Sequence, residues 1–110
     1  MIEKIIFNYL KKEIEVPVCI EEPREKLLKY VLIEKTGTSK ENHINNATIA
    51  IKSYAESKFL AAELNEQVKA AMDNIVILDS IGRSQLNTDY DFTDTTKKQY
   101  RYQAIYDVTY

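Results

Sequence analysis

Tyr100-Arg101-Tyr102-Gln103-Ala104-Ile105-Tyr106-Asp107-Val108-Thr109-Tyr110 decides the fold class of this chain. Tyr100, Tyr102, Ala104, Tyr106, Val108 and Tyr110 take alternate positions, and Arg101, Gln103, Ile105, Asp107 and Thr109 fill the others. A period of two is the signature of a β-strand, so the chain must build a sheet.

Further strands lie upstream. Ala47, Ile49, Ile51 and Ser53 alternate with Thr48, Ala50, Lys52 and Tyr54, which predicts a second strand. Tyr30-Val31-Leu32-Ile33-Glu34-Lys35-Thr36 is rich in β-branched and aromatic residues and stops at Gly37. Val16-Pro17-Val18-Cys19-Ile20 is a short apolar piece that its proline confines to a sheet edge or a strand start. Ile75-Val76-Ile77-Leu78 is expected to overlap a helix end and a strand running to about Ser84.

Two helices complete the set. Ile2, Ile5, Ile6, Tyr9 and Leu10 recur at helical spacing with Glu3, Lys4, Asn8, Lys11 and Lys12 on the other side, up to a stop before Pro17. Ser57 is a good N-cap for a second helix whose apolar stripe is Leu60, Leu64, Val68, Ala71, Met72 and Ile75. Residues 21–25 read as a solvated turn, and segments 37–46 and 85–99 as irregular polar loops. Tight hairpin signals such as Asn-Gly are missing. The order helix, strand, strand, strand, helix, strand, strand predicts an α+β fold. It is one domain over residues 1–110, with a mixed, mostly antiparallel sheet of about five strands and both helices packed on one face.

Composition narrows the function. With 15 basic and 17 acidic residues the formal charge is −2, which disfavours general binding to a phosphate backbone. Apolar residues at 45% and charged residues at 29% suit a folded domain. No apolar run reaches the roughly 18 residues of a membrane span, and residues 1–5 lack a signal-peptide pattern. A lone cysteine, Cys19, excludes an internal disulfide and a four-cysteine metal site, and suits a reducing cytosol.

Candidate chemistry is thin. Asp89, Asp91 and Asp94 suggest a calcium loop, but Asp94 and Tyr100 stand where that loop needs glycine and a bidentate glutamate. Cys19 and His43 are the one conceivable nucleophile and imidazole pair, and no third residue is evident to orient them. Gly37 and Gly82 are too far apart for a phosphate loop, and Asn46-Ala47-Thr48 is a chance sequon without a secretion signal. No metal, cofactor or enzymatic activity is expected. The tyrosines say more: four share one face of the last strand, and Tyr54 and Tyr30 can lie on its neighbours. Val31, Ile33, Ile49 and Ile51 make one sheet face apolar, Leu32, Ala50 and Tyr54 the other. Two helices cover one face well, so the second is expected to expose rings or meet another subunit.

In pattern, nearly the whole chain resembles the tail-terminator, or tail-completion, proteins of siphophages. Glu15-Val16-Pro17-Val18-Cys19 matches their first strand, and Pro23 followed by residues 30–37 matches the next segment. Residues 47–55 match a strand ending in an aromatic plus alanine, and 57–74 an alanine-rich helix. Tyr90-Asp91-Phe92-Thr93-Asp94 and then Tyr100-Arg101-Tyr102-Gln103 match the most specific piece. Thr95-Thr96-Lys97-Lys98 departs from the proline- and glycine-rich turn of that family.

The resemblance implies a structural virion protein in a ring, typically of six copies, at the head-proximal end of the tail tube. It would end tube polymerisation and allow head joining. Implied partners are copies of itself, the major tail tube protein and a head–tail connector protein. No membrane or sequence-specific nucleic acid is implied, although DNA would pass through the ring. The implied location is the virion tail, reached from the host cytoplasm. The contact candidates are Glu41, Asn42, His43 and Asn45 in the first loop, with Tyr90, Asp91, Phe92, Asp94, Lys97 and Lys98 in the second and Arg101 beyond it. Phe92 is expected to be an apolar anchor, and Arg101 to pair with a neighbour's carboxylate. A head-completion adaptor at the same joint and a small enzyme using Cys19 and His43 are the alternatives.

Overall fold

A computed structural model describes all of residues 1–110. Helix α1 spans Ile2–Glu13 and buries Ile2, Ile6 and Leu10, spaced four apart on one stripe. Ile14 ends it in an extended conformation. Strand β1 is only Val18–Cys19, followed by β2 (Tyr30–Glu41), β3 (Ile44–Ala55), helix α2 (Lys58–Asp73), β4 (Arg83–Asp91) and β5 (Tyr100–Thr109). Ser57 caps α2, its hydroxyl accepting from the Leu60 N–H at 3.2 Å.

The sheet order is β1-β2-β3-β5-β4, with every pairing antiparallel except β1 to β2. The α+β class, the five-stranded mixed sheet and the helix packing are as expected. Pro17 leads into the edge strand, as its missing N–H requires. β3 and β4 run parallel across α2, with β5 inserted between them.

Both helices lie on one face. Ile2, Ile6, Leu10, Leu64, Val68 and Met72 close over Val31, Ile33, Ile49, Ile51, Ala104, Tyr106 and Val108 in one continuous core. The Tyr9 hydroxyl donates to the Ala71 carbonyl at 2.8 Å and ties α1 to α2. Of the four tyrosines at positions 100, 102, 106 and 110, the last just beyond β5, only Tyr106 is fully enclosed; Tyr100, Tyr102 and Tyr110 are half-buried.

Four expectations need correction. Segment 37–46 is not an irregular loop: β2 and β3 continue through it as a two-stranded ribbon, Glu41 opposite Ile44. Its turn is Asn42 and His43, with φ of 50° and 65°. This is the left-handed geometry of a two-residue hairpin turn, which Asn and His enter more readily than most side chains.

Segment 85–99 is not one loop either. It is β4 followed by a small closed hairpin in which Asp94 and Gln99 exchange backbone hydrogen bonds at 2.9 and 3.0 Å. A bulge at Asn87 hides the period of β4 from the sequence. Residues 75–77 form a 3-10 turn rather than strand, and β4 begins only at Arg83.

The fourth concerns the second sheet face. Its apolar end is covered by the chain itself: Tyr30, Leu32 and Tyr54 are buried in a satellite cluster with Cys19 and Leu27. Leu27, in the stretch between β1 and β2, supplies part of that covering, while residues 21–25 before it are mostly exposed, as expected of a solvated turn.

Candidate functional site

Register places side chains on the open face in cross-strand rows. Tyr30, Tyr54, Arg101 and Phe92 stand side by side in one row, and Leu32, Lys52, Gln103 and Tyr90 in the next. Position 92 joins its row because the Phe92 N–H donates to the Arg101 carbonyl at 2.8 Å. Four strands thus contribute to one surface.

Arg101 is its hub. The guanidinium lies 4.4 Å from the Phe92 ring centroid and 5.8 Å from that of Tyr54. Its Nε donates to the Phe92 carbonyl at 2.7 Å and its Nη1 to Gln99 Oε1 at 3.1 Å. A planar cation wedged between two rings is attracted by their negative faces. No carboxylate of the chain is within ion-pair reach of Arg101, and three of its five N–H donors remain unused.

Tyr90 meets Phe92 edge-on, centroids 5.9 Å apart at 83°, and its hydroxyl accepts from Gln103 Nε2 at 2.6 Å. Lys52 lies 5.9 Å above Phe92 and pairs with Glu34 at 3.1 Å. Tyr90 and Phe92 remain 39% and 38% exposed despite these contacts, so the patch keeps apolar area towards solvent.

The other predicted residues are dispersed. Glu41, Asn42, His43 and Asn45 sit at the far tip of the β2–β3 ribbon, exposed or half-exposed. Asp91 points to the helix side, where it pairs with Lys58 at 3.1 Å and accepts from the Thr93 N–H at 3.0 Å. The hydroxyl and N–H of Thr93, ahead of Lys58, hold the Asp91 carboxyl below its usual pKa. Asp94 is a turn residue, accepting from the N–H groups of Thr96 and Lys97 at 3.1 and 3.2 Å. Lys97 and Lys98 edge a cleft of about 560 Å³ beside Tyr30 and Tyr54. A larger cleft, about 860 Å³, lies between the helix ends against Tyr9, Glu13, Val76 and Ile77, and holds no predicted residue.

Asp89, Asp91 and Asp94 do not converge. Asp89 is held by Asn65 Nδ2 at 2.9 Å and Lys69 Nζ at 3.0 Å, apart from the Lys58 and turn contacts of the other two. Cys19 and His43 are also separate. Cys19 pairs with Leu32 at the base of β2, while His43 is at the ribbon tip, about 30 Å away along a strand. Burial, then the Glu22 charge, pushes the Cys19 thiol up, away from a reactive thiolate.

Sequence reasoning missed Lys52, Gln103 and Glu22, which complete this face. The signal was the period: even positions of 30–34 and 50–54 face the same way as odd positions of 101–105 once the strands are in register. No helix is long and apolar enough to cross a membrane. No protein-family model matches the chain, and no curated protein matches it significantly.

Proposed function

We propose that this chain is a structural assembly subunit that closes into a ring with copies of itself, and that the ring is the tail terminator of a long-tailed phage. One observation carries the reading. The two most specific segments of the resemblance, residues 90–94 and 100–103, are hydrogen-bonded neighbours, and Tyr90, Phe92, Arg101 and Gln103 from them meet in one partly exposed patch. A partly apolar patch with spare guanidinium donors suits a protein partner. Phe92 is its apolar anchor, and Arg101 offers its free donors to a carboxylate on the neighbouring subunit or tube.

Deleting the gene from its phage tests the assignment. Overlong tails, or tails without heads, are expected for a terminator. Normal tails beside open heads would point to a head-completion adaptor instead, and normal virions would end the assembly reading.

A further inference from the structure

The sheet has two free margins. β4 is the outermost strand on one side, and on the other β1 covers β2 only at Val31 and Leu32. Residues 34–41 of β2 are all exposed. Through β3 and β5 the pairings make β4 antiparallel to β2. A second copy laid alongside, with its helices on the same side, therefore brings β4 antiparallel to the free margin of β2.

The ladder fixes which main-chain groups point outward. The Val31 N–H donates to the Pro17 carbonyl at 2.9 Å, so Val31, and by period two Ile33 and Lys35, turn away from β3. The Asn45 carbonyl accepts from the Tyr110 N–H at 2.9 Å, so Asn45 turns away from β2 and its partner Lys40 also turns outward, with Thr38. The change of parity is the bulge at Thr36. On β4 the inward Phe92 N–H leaves Asp91 and Asp89 outward, and beyond the Asn87 bulge the outward residues are Leu86 and Ser84.

One register satisfies both margins. With Lys35 opposite Asp89, Thr38 falls opposite Leu86 and Lys40 opposite Ser84, outward against outward throughout. The two bulges then lie level, Thr36 against Thr88 and Gly37 against Asn87, so both strands change parity together. The charges agree as well: Lys35 meets Asp89 on the helix-covered face, and Glu41 meets Arg83 on the open face. A slide of two residues offsets the bulges and loses one or both charge pairs. Pairing β4 with a second β4 sets Asp89 against Leu86 and gains no ion pair.

We propose that β4 of one copy adds to the free margin of β2 in the next, so that one sheet runs from subunit to subunit. This rests on the self-assembly reading and names its interface. The contact joins two different patches, as a closed ring requires, and it removes both exposed edges that invite unregulated pairing.

Cysteine cross-linking tests it, with Cys19→Ser in every chain. Glu41 and Arg83 form a non-hydrogen-bonded pair across the contact, with Cα atoms about 4.5 Å apart, within disulfide reach. Mixing E41C chains with R83C chains should give a disulfide dimer that neither gives alone, and the double variant should give a covalent ladder ending at the closed ring. Lys40→Pro removes one outward N–H without breaking a bond to β3. It should keep the circular dichroism of the native chain and lose the ladder. A discrete oligomer without this disulfide overturns the edge pairing and leaves the ring reading standing. An open ladder with no closed species keeps the pairing and overturns the ring. A chain that stays monomeric without any disulfide overturns both.

Discussion

Tyr30 and Tyr54 stack face to face across β2 and β3, with ring centroids 4.3 Å apart and planes within 8° of parallel. Both hydroxyls donate to the Glu22 carboxylate, at 3.3 and 3.5 Å. The pair pins the 20–29 segment against the open face. Tyr54→Ala should destabilise the fold by about 3–5 kcal/mol, as for other buried rings. Tyr54→Phe keeps the ring and loses one hydrogen bond, so about 0.5–1.5 kcal/mol is expected. Urea unfolding of the two variants measures both. Equal losses would mean that the ring contributes nothing.

Alkaline pH should unfold the protein through two buried phenols. Burial first, then nearby carboxylates, raises the pKa of Tyr30 and of Tyr106 above the ordinary value. A group whose folded pKa is raised stabilises the fold fully below its unfolded pKa, about 10 for tyrosine, and loses that contribution as pH climbs towards the folded value. Stability should therefore fall above about pH 10. Tyr30→Phe should make that fall shallower, read from melting temperature against pH.

Phe92→Ala should leave the fold nearly unchanged, because the ring is 38% exposed and outside both apolar clusters. A loss of under about 1.5 kcal/mol is expected, together with loss of virion assembly. Arg101→Lys keeps the charge but not the planar stacking on Phe92, and should impair assembly too. Normal virion yield from both variants would remove this patch from the interface.

His43 holds a left-handed backbone at the ribbon tip, with φ of 65°. Glycine meets no steric penalty there, so His43→Gly should stabilise by about 1 kcal/mol, and a β-branched residue should destabilise by at least as much. Thermal melts of His43→Gly and His43→Val check the sign. A lower melting temperature for the glycine variant would contradict the turn geometry.

Ser53 is fully buried under the helices, and its hydroxyl has no hydrogen-bond partner in the protein. Ser53→Ala should therefore be neutral or stabilising by up to about 1 kcal/mol, since an unpaired buried hydroxyl favours the unfolded state. A clear loss of stability would mean that the hydroxyl is satisfied.

Local pattern was enough to identify the helix stripes of Ile2, Ile6 and Leu10 and of Leu64, Val68 and Met72, together with the strands around Val31, Ile51 and Ala104. Side-chain spacing along a helix or strand is set by backbone geometry within a few residues, so a linear chain displays it. Tyr90, Phe92 and Arg101 were also legible as notable residues, but not as neighbours. Only the folded sheet decided that Arg101 sits over Phe92, that Asn42 and His43 close a hairpin, and that the 20–29 segment buries Tyr30 and Tyr54. Those facts depend on strand register between distant residues and on bulges at Thr36 and Asn87, each shifting by one residue which side chains share a face.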